Sequence, residues 1–307
     1  EARENGAPMP GEALAEIESG EVTYQASLGD ANHEAYPVDS QAADSAEMRI
    51  HSSHADPGTV IPRSEWRFAR IENGDTLADS TTVVYGAGFQ PGYIYTVRYR
   101  PNRSPVMGLG FTAVRDLVAF LRSADTLNPL TLPGGASVVR KAMAYGSSQC
   151  GRFLRDFVYQ GFNTALNDSV VFDGVFSNVP GCRRGFFNYR FAQPSRSFGF
   201  FPQFEFPFSD SETTDPLSGE TGGIQSAIPE KYRPKTVYLH HSAEYWSSGA
   251  ALTHVDVSGA ADLQLPDNVR IYLIAGTGHG HSVFVDGRPA QSGGLLLPPN
   301  PNDPGLI

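Results

Sequence analysis

Hydrophobic positions follow two unlike patterns along the chain. Up to about residue 60, large apolar side chains are sparse among Ala, Ser, Glu and Asp, and only "GEVTYQASL" and "AEMRIHSS" read as strands. Residues 1–60 are therefore expected to form a polar N-terminal arm, packed on or preceding the core, with its first residues mobile. From residue 61 the pattern sharpens. "TTVVYGAGF" and "YIYTVRYR" are β-branched and aromatic runs bounded by Gly and Pro, so both predict strands. "GFTAVRDLVAFLRS" sets Val114, Leu117, Val118 and Leu121 at helical spacing. "KAMAYGSS" then predicts a strand, "QCGRFLRDFVYQGF" a helix, and "VVFDGVFSNV" a buried strand. After an irregular stretch over 183–230 come two more apolar runs, "TVYLHHS" and "VRIYLIAG". Strands alternating with helices predict an α/β fold over 61–307, with a mainly parallel sheet flanked by helices.

Candidate chemistry concentrates where "AMAYGSSQCGRFL" passes from strand to helix. A nucleophile elbow lifts a serine above the carboxyl edge of a sheet in a strained turn, so residues two before and two after it must be small. Ser147 is flanked at those positions by Tyr145 and Gln149, whereas Ser148 is flanked by Gly146 and Cys150. Ser148 is therefore the candidate nucleophile, and Gly151 lets the helix pack close to the strand. A lone serine in such a turn is often only a helix N-cap. The surrounding strand, amphipathic helix and α/β alternation favour the nucleophile.

A serine hydroxyl needs a base to accept its proton. In this architecture the chain order is Ser, acid, His, each after a strand. His33, His51 and His54 precede the serine. Of the remainder, His279 sits in the glycine-rich loop after "VRIYLIAG", with His281 as its rival two residues on. The acid should follow the preceding strand, where Glu244 stands just past "TVYLHH"; Asp256 and Asp262 are the alternatives. The backbone N–H of Gln149, directly after the nucleophile, is the candidate oxyanion donor. A second donor is expected from "YGAGFQPG" or "RYRPNRSP", and the sequence does not choose between them.

Composition narrows the field. The 307 residues carry a net charge of −10 with no basic run interleaved with aromatics, which argues against a nucleic-acid partner. No apolar run reaches the roughly 20 residues a membrane span needs. The chain begins at Glu1 with no charged n-region and apolar h-region behind it, so any signal peptide has been removed or was never present. A metal-dependent hydrolase built on His240, His241, Glu244 and His254, or on His279 and His281, is a weaker reading. No H-E-x-x-H appears, and adjacent histidines on a strand point to opposite faces.

The blocks "GSSQCGRFLRDFVYQGFN", "GVFSNVPGCRRGFFNYRFAQPSR", "EYWSSGAALTH" and "IAGTGHG" resemble the family described as alpha/beta hydrolase domain-containing proteins. "IPRSEWRFA", "FQPGYIYTVRY" and "GLGFTAVRDLVAFLR" fit the same family, so the resemblance spans roughly residues 36–302. It implies an alpha/beta-hydrolase fold with Ser148 as nucleophile, Glu244 as acid and His279 as base; the serine mechanism these residues suggest needs no cofactor or metal and acts on a small-molecule ester. It implies no particular substrate, and it assigns no role to His254. In such a fold, the 183–230 stretch is the usual place for a lid or cap. Its nine phenylalanines between 183 and 210 suit a cover over an apolar or aromatic ester, or equally the packing of an irregular subdomain. The nearby Arg183, Arg184, Arg190 and Arg196 suit either a substrate carboxylate or the chain's own acids.

The family pattern carries small residues where Cys150 and Cys182 stand. Their joint change to Cys implies a disulfide beside the site if the two strands before them are neighbours, and with it a secreted or periplasmic location. Family chains also continue past "NPND" and often begin earlier, which makes a trimmed segment the expectation here. The resulting expectation is a carboxylic-ester hydrolase. A lactonase or transacylase on the same three residues, or a binding protein that keeps the fold, are the alternatives.

Overall fold

The computed structural model describes residues 1–29, 34–54, 56–191, 206–216 and 218–280, together with the backbone of 284–285 and 288–289. His33, Arg196, His281 and four of the nine phenylalanines lie outside the described residues.

The N-terminal half is antiparallel. Strands β1 (Ala13–Glu18), β2 (Thr23–Ser27), β3 (Glu47–His51) and β4 (Thr59–Ile61) precede β5 (Trp66–Glu72), β6 (Asp75–Phe89) and β7 (Ile94–Tyr99). They form a four-stranded sheet in the order β1-β7-β3-β4 and a three-stranded sheet in the order β2-β6-β5. The registers Ala13↔Tyr99, Ala15↔Val97 and Ile17↔Tyr95 turn alternate residues of β1 inward. There they join Met48, Trp66, Val83 and Phe89 in one buried cluster.

Residues 1–60 are thus more than a polar arm: β1 to β4 begin within them, a short antiparallel pair (Arg3–Glu4 with Ala7–Pro8) precedes these, and they supply a large part of this core. Their inward positions are mostly alanines and isolated apolar residues, and the rings they pack on, such as Phe89, Tyr95 and Tyr99, come from residues 66–99. "TTVVYGAGF" and "YIYTVRYR" are strands as expected, but they pair here rather than in a parallel sheet. Parallel pairing is confined to the second half of the chain.

Helix α1 (Leu109–Arg122) leads from the antiparallel half into that second half. Strands β8 (Met143–Ser147), β9 (Gly174–Asn178), β10 (Lys235–His241) and β11 (Val269–Ile274) then form a parallel sheet in chain order. Helix α2 (Gln149–Tyr159) connects β8 to β9, and the short α3 (Ser242–Ser247) follows β10 directly. Phe111 of α1 and Leu154, Phe157 and Val158 of α2 pack with Ala144 and Val175 of the sheet. Leu117, expected on the inner face of α1, is instead exposed, while Val114 and Val118 reach the core. On the other face of the sheet Met143, Tyr145 and Tyr272 remain exposed. Among the described residues, no helix is long and apolar enough to cross a membrane.

The described phenylalanines of the 183–210 stretch are packing residues. Phe187 joins the α1–α2 cluster, and Phe191 fills the antiparallel core, edge-to-face on Tyr36 at 5.5 Å.

Candidate active site

The turn between β8 and α2 is built around one strained residue. Ser148 has φ 55° and ψ −118°, a left-handed conformation that costs a non-glycine residue roughly 1–3 kcal/mol. Hydrogen bonds hold it there. Its N–H donates to the Asn178 carbonyl at 2.8 Å, and its own carbonyl accepts the Arg152 N–H at 3.1 Å. Gly146 and Gly151 make room. A β-carbon at Gly146 would strike the Cys150 carbonyl and lie 2.9 Å from the Gly151 nitrogen, and one at Gly151 would lie 3.1 Å from the Asn178 oxygen. The tight flanks are therefore positions 146 and 151. Cys150 is exposed on the first turn of α2.

Two later strand ends complete the group. The Ser148 Oγ lies 2.8 Å from Nε2 of His279, in the loop after β11. His279 Nδ1 is hydrogen-bonded to Oε1 of Glu244, in the first turn of α3. The other carboxylate oxygen, Oε2, accepts the His241 backbone N–H at 2.8 Å. Glu244 is 1% exposed, and these bonds satisfy a charge that would otherwise be costly to bury. Hydroxyl, imidazole and carboxylate thus form a continuous chain in which each oxygen or nitrogen has a partner. Such a chain can move a proton from Ser148 to His279 while the carboxylate faces the resulting positive ring. Gln149 is the first residue of α2.

The alternatives are engaged elsewhere. Asp256 accepts the Ser258 hydroxyl at 2.9 Å, chiefly this bond and also the Ala260 N–H at 2.9 Å holding its carboxyl below the usual range. Asp262 Oδ1 is 3.9 Å from His254 Nδ1, and His254 Nε2 lies 3.3 Å from the Tyr245 hydroxyl. Ser147 Oγ accepts from the Asn178 side-chain amide at 2.9 Å. His240 and His241 point to opposite faces of the sheet: His240 stacks on Tyr238, while His241 Nδ1 bonds the Gly278 carbonyl at 2.7 Å. Among the described residues, the donors that converge closely enough for a metal ion are Glu16 and Glu18 of β1 and His54 in the turn after β3. His54 Nε2 there lies 3.2 Å from Glu16.

The disulfide expectation is corrected. Strands β8 and β9 are neighbours, yet both residues are thiols. Helix α2 turns Cys150 outward to solvent. Cys182 is buried against the turn after α3, its N–H bonded to the Ser248 carbonyl at 3.1 Å and its sulfur beside Gly249. Adjacent strands do not bring side chains together when one of them lies on a helix turning away.

Two buried charged residues of α2, Arg155 and Asp156, anchor the neighbouring segments. Arg155 donates to the carbonyls of Cys182 at 2.9 Å and Phe208 at 2.7 Å. Arg184 donates to Phe206 at 3.1 Å and to Asp156 at 3.0 Å. The chain on both sides of residues 192–205 is thereby pinned to the helix that follows Ser148. Arg184 is thus an internal ion-pair partner rather than an open anion site. Arg190 is likewise spent on the Pro105 carbonyl at 3.0 Å. Burial pushes the Asp156 carboxyl up to about 6 although Arg184 pulls it down, and burial together with Arg155 pushes His240 down to about 3. A run of charges on an amphipathic helix normally reads as its wet face, so nothing in the sequence marked these residues as buried.

A family model described as "Alpha/beta hydrolase domain" matches residues 87–299, well over half of the chain. The chain belongs to this family of hydrolase folds. The match takes in the whole parallel sheet and the Ser148, Glu244 and His279 positions, and leaves most of the antiparallel half outside it. No curated protein and no solved structure matches the chain.

Proposed function

We propose that the protein is a serine hydrolase that cleaves carboxylic esters through an acyl-enzyme intermediate. The observation that carries this reading is the 2.8 Å approach of Ser148 Oγ to His279 Nε2, with His279 backed by the buried Glu244. Ser148 Oγ attacks the ester carbonyl carbon as its proton passes to His279 Nε2. The Gln149 N–H, at the start of α2, supports the oxyanion. His279 then gives the proton to the departing alkoxide, and the alcohol leaves. A water next loses its proton to His279 and attacks the acyl carbon. The acid departs and Ser148 recovers its proton. Glu244 fixes the Nδ1–H tautomer and faces the imidazolium.

We take a small apolar or aromatic ester as the substrate class on the phenylalanine-rich sequence of residues 183–210; Phe187 and Phe191 have no part in that role, because they pack the two cores. A lactone is a cyclic ester open to the same attack. The test is hydrolysis of a panel of p-nitrophenyl esters and lactones. Ser148→Ala should abolish turnover above background. Glu244→Gln should lower kcat by roughly 10²–10⁴-fold through loss of the correct tautomer. Turnover unchanged in Ser148→Ala would sink the reading.

A further inference from the structure

We propose that His241 is a positioning residue that holds the acid and the base of the site in register. The proposal rests on the ester-hydrolase reading for its catalytic meaning, but its geometry stands independently. His241 ends strand β10 and is 3% exposed. Its backbone N–H donates to Oε2 of Glu244 at 2.8 Å. Its Nδ1 meets the Gly278 carbonyl at 2.7 Å. A carbonyl only accepts, so His241 carries its proton on Nδ1. Gly278 directly precedes His279. One residue is therefore tied to both partners of the Glu244–His279 hydrogen bond, to the acid through its main chain and to the base through its ring.

The loop that carries His279 needs such a tether. It runs Gly276-Thr277-Gly278-His279-Gly280, and a β-carbon at Gly276 or Gly280 would meet nothing within 4 Å. The His279 side chain is 56% exposed, so packing does not hold it either. Among the described residues, a small set of hydrogen bonds holds the loop. Gly276 N–H donates to Ser242 Oγ at 2.7 Å, Thr277 Oγ1 to the Ile274 carbonyl at 2.8 Å, and His241 Nδ1–H to Gly278. Of these, only the His241 bond acts on the residue adjoining the base. A displacement of about 1 Å at a reacting group can cost on the order of a hundredfold in rate, so this tether has catalytic leverage without touching substrate.

The test compares His241→Leu, which removes the ring donor, with His241→Asn, whose side-chain N–H occupies the place of Nδ1. Both keep the backbone N–H to Glu244. The first readout is proton NMR of the full chain. An imidazole Nδ1–H bonded to a buried carboxylate resonates far downfield, and His279→Ala identifies the signal. The second readout is the rate of labelling by a fluorophosphonate. His241→Leu should lose the resonance to solvent exchange and label on the order of ten- to a hundredfold more slowly. His241→Asn should restore both. Thermal unfolding checks each variant. If His241→Leu does not fold, His241→Gln replaces it, because its amide reaches the Nε2 position instead of Nδ1.

Wild type without the resonance, a folded His241→Leu that keeps it, or His241→Asn behaving no better than His241→Leu overturns the proposal. Variants that follow the predicted NMR pattern while wild type resists labelling would support the tether and reject the ester-hydrolase reading.

Discussion

Gly146 and Cys150 are in contact across the turn that bears Ser148: any β-carbon at 146 would be driven into the carbonyl of residue 150. The clash would be with backbone that must start helix α2, so no side-chain rearrangement can relieve it. Gly146→Ala is expected to destabilise the protein by about 1–3 kcal/mol, the usual cost of overpacking a tight site. Gly110→Ala is the control. That glycine lies in α1 with open space where its β-carbon would be, and alanine there should stabilise by roughly 0.5–1 kcal/mol. Urea denaturation of both variants checks the pair.

The buried groups around α2 predict how stability responds to acid. His240, held down at about 3 in the folded chain, contributes stability that is present above its ordinary value of 6.5 and is lost as pH falls through the range down to 3. Asp156, raised to about 6 from 3.8, acts in the opposite sense: its contribution is full below 3.8 and is lost as pH rises through 6. Between about pH 6 and 4 the two slopes, each near 1.4 kcal/mol per pH unit, oppose one another. Removing one should expose the other. Against wild type over that interval, His240→Leu should gain stability on acidification and Asp156→Asn should lose it. Denaturant midpoints at pH 6, 5 and 4 measure this, and parallel curves for all three proteins would contradict it.

The thiols give a third expectation. Native protein should react with Ellman's reagent at one cysteine, Cys150, while Cys182 should react only after unfolding. Reductant should leave the intact mass unchanged. A mass gain corresponding to two hydrogens on reduction would mean that the bridge does form in solution.

What could be read from the sequence was local. The turn at Ser148 is spelled out within about ten residues, because a strand, a glycine-flanked serine and a helix leave few other conformations. Glu244 and His279 could be chosen because each directly follows an apolar strand, and the structure brings both to Ser148. What could not be read depends on distant partners. Ala13, Ala15 and Ile17 look unremarkable until they face Tyr99, Val97 and Tyr95 more than seventy residues later. The strands of 81–99 carry no mark that says antiparallel. Cys150 and Cys182 follow neighbouring strands, but only the rotation of α2 decides which way Cys150 points. In the sequence His241 reads only as one of four candidate metal ligands, and its bond to Gly278 depends on a loop 37 positions away.

The most direct test of the central claim is intact-mass analysis after exposure to a fluorophosphonate probe, on wild type and Ser148→Ala. The account predicts one adduct per chain on wild type and none on Ser148→Ala. An unlabelled but folded wild type, or equal labelling of the two proteins, would contradict it.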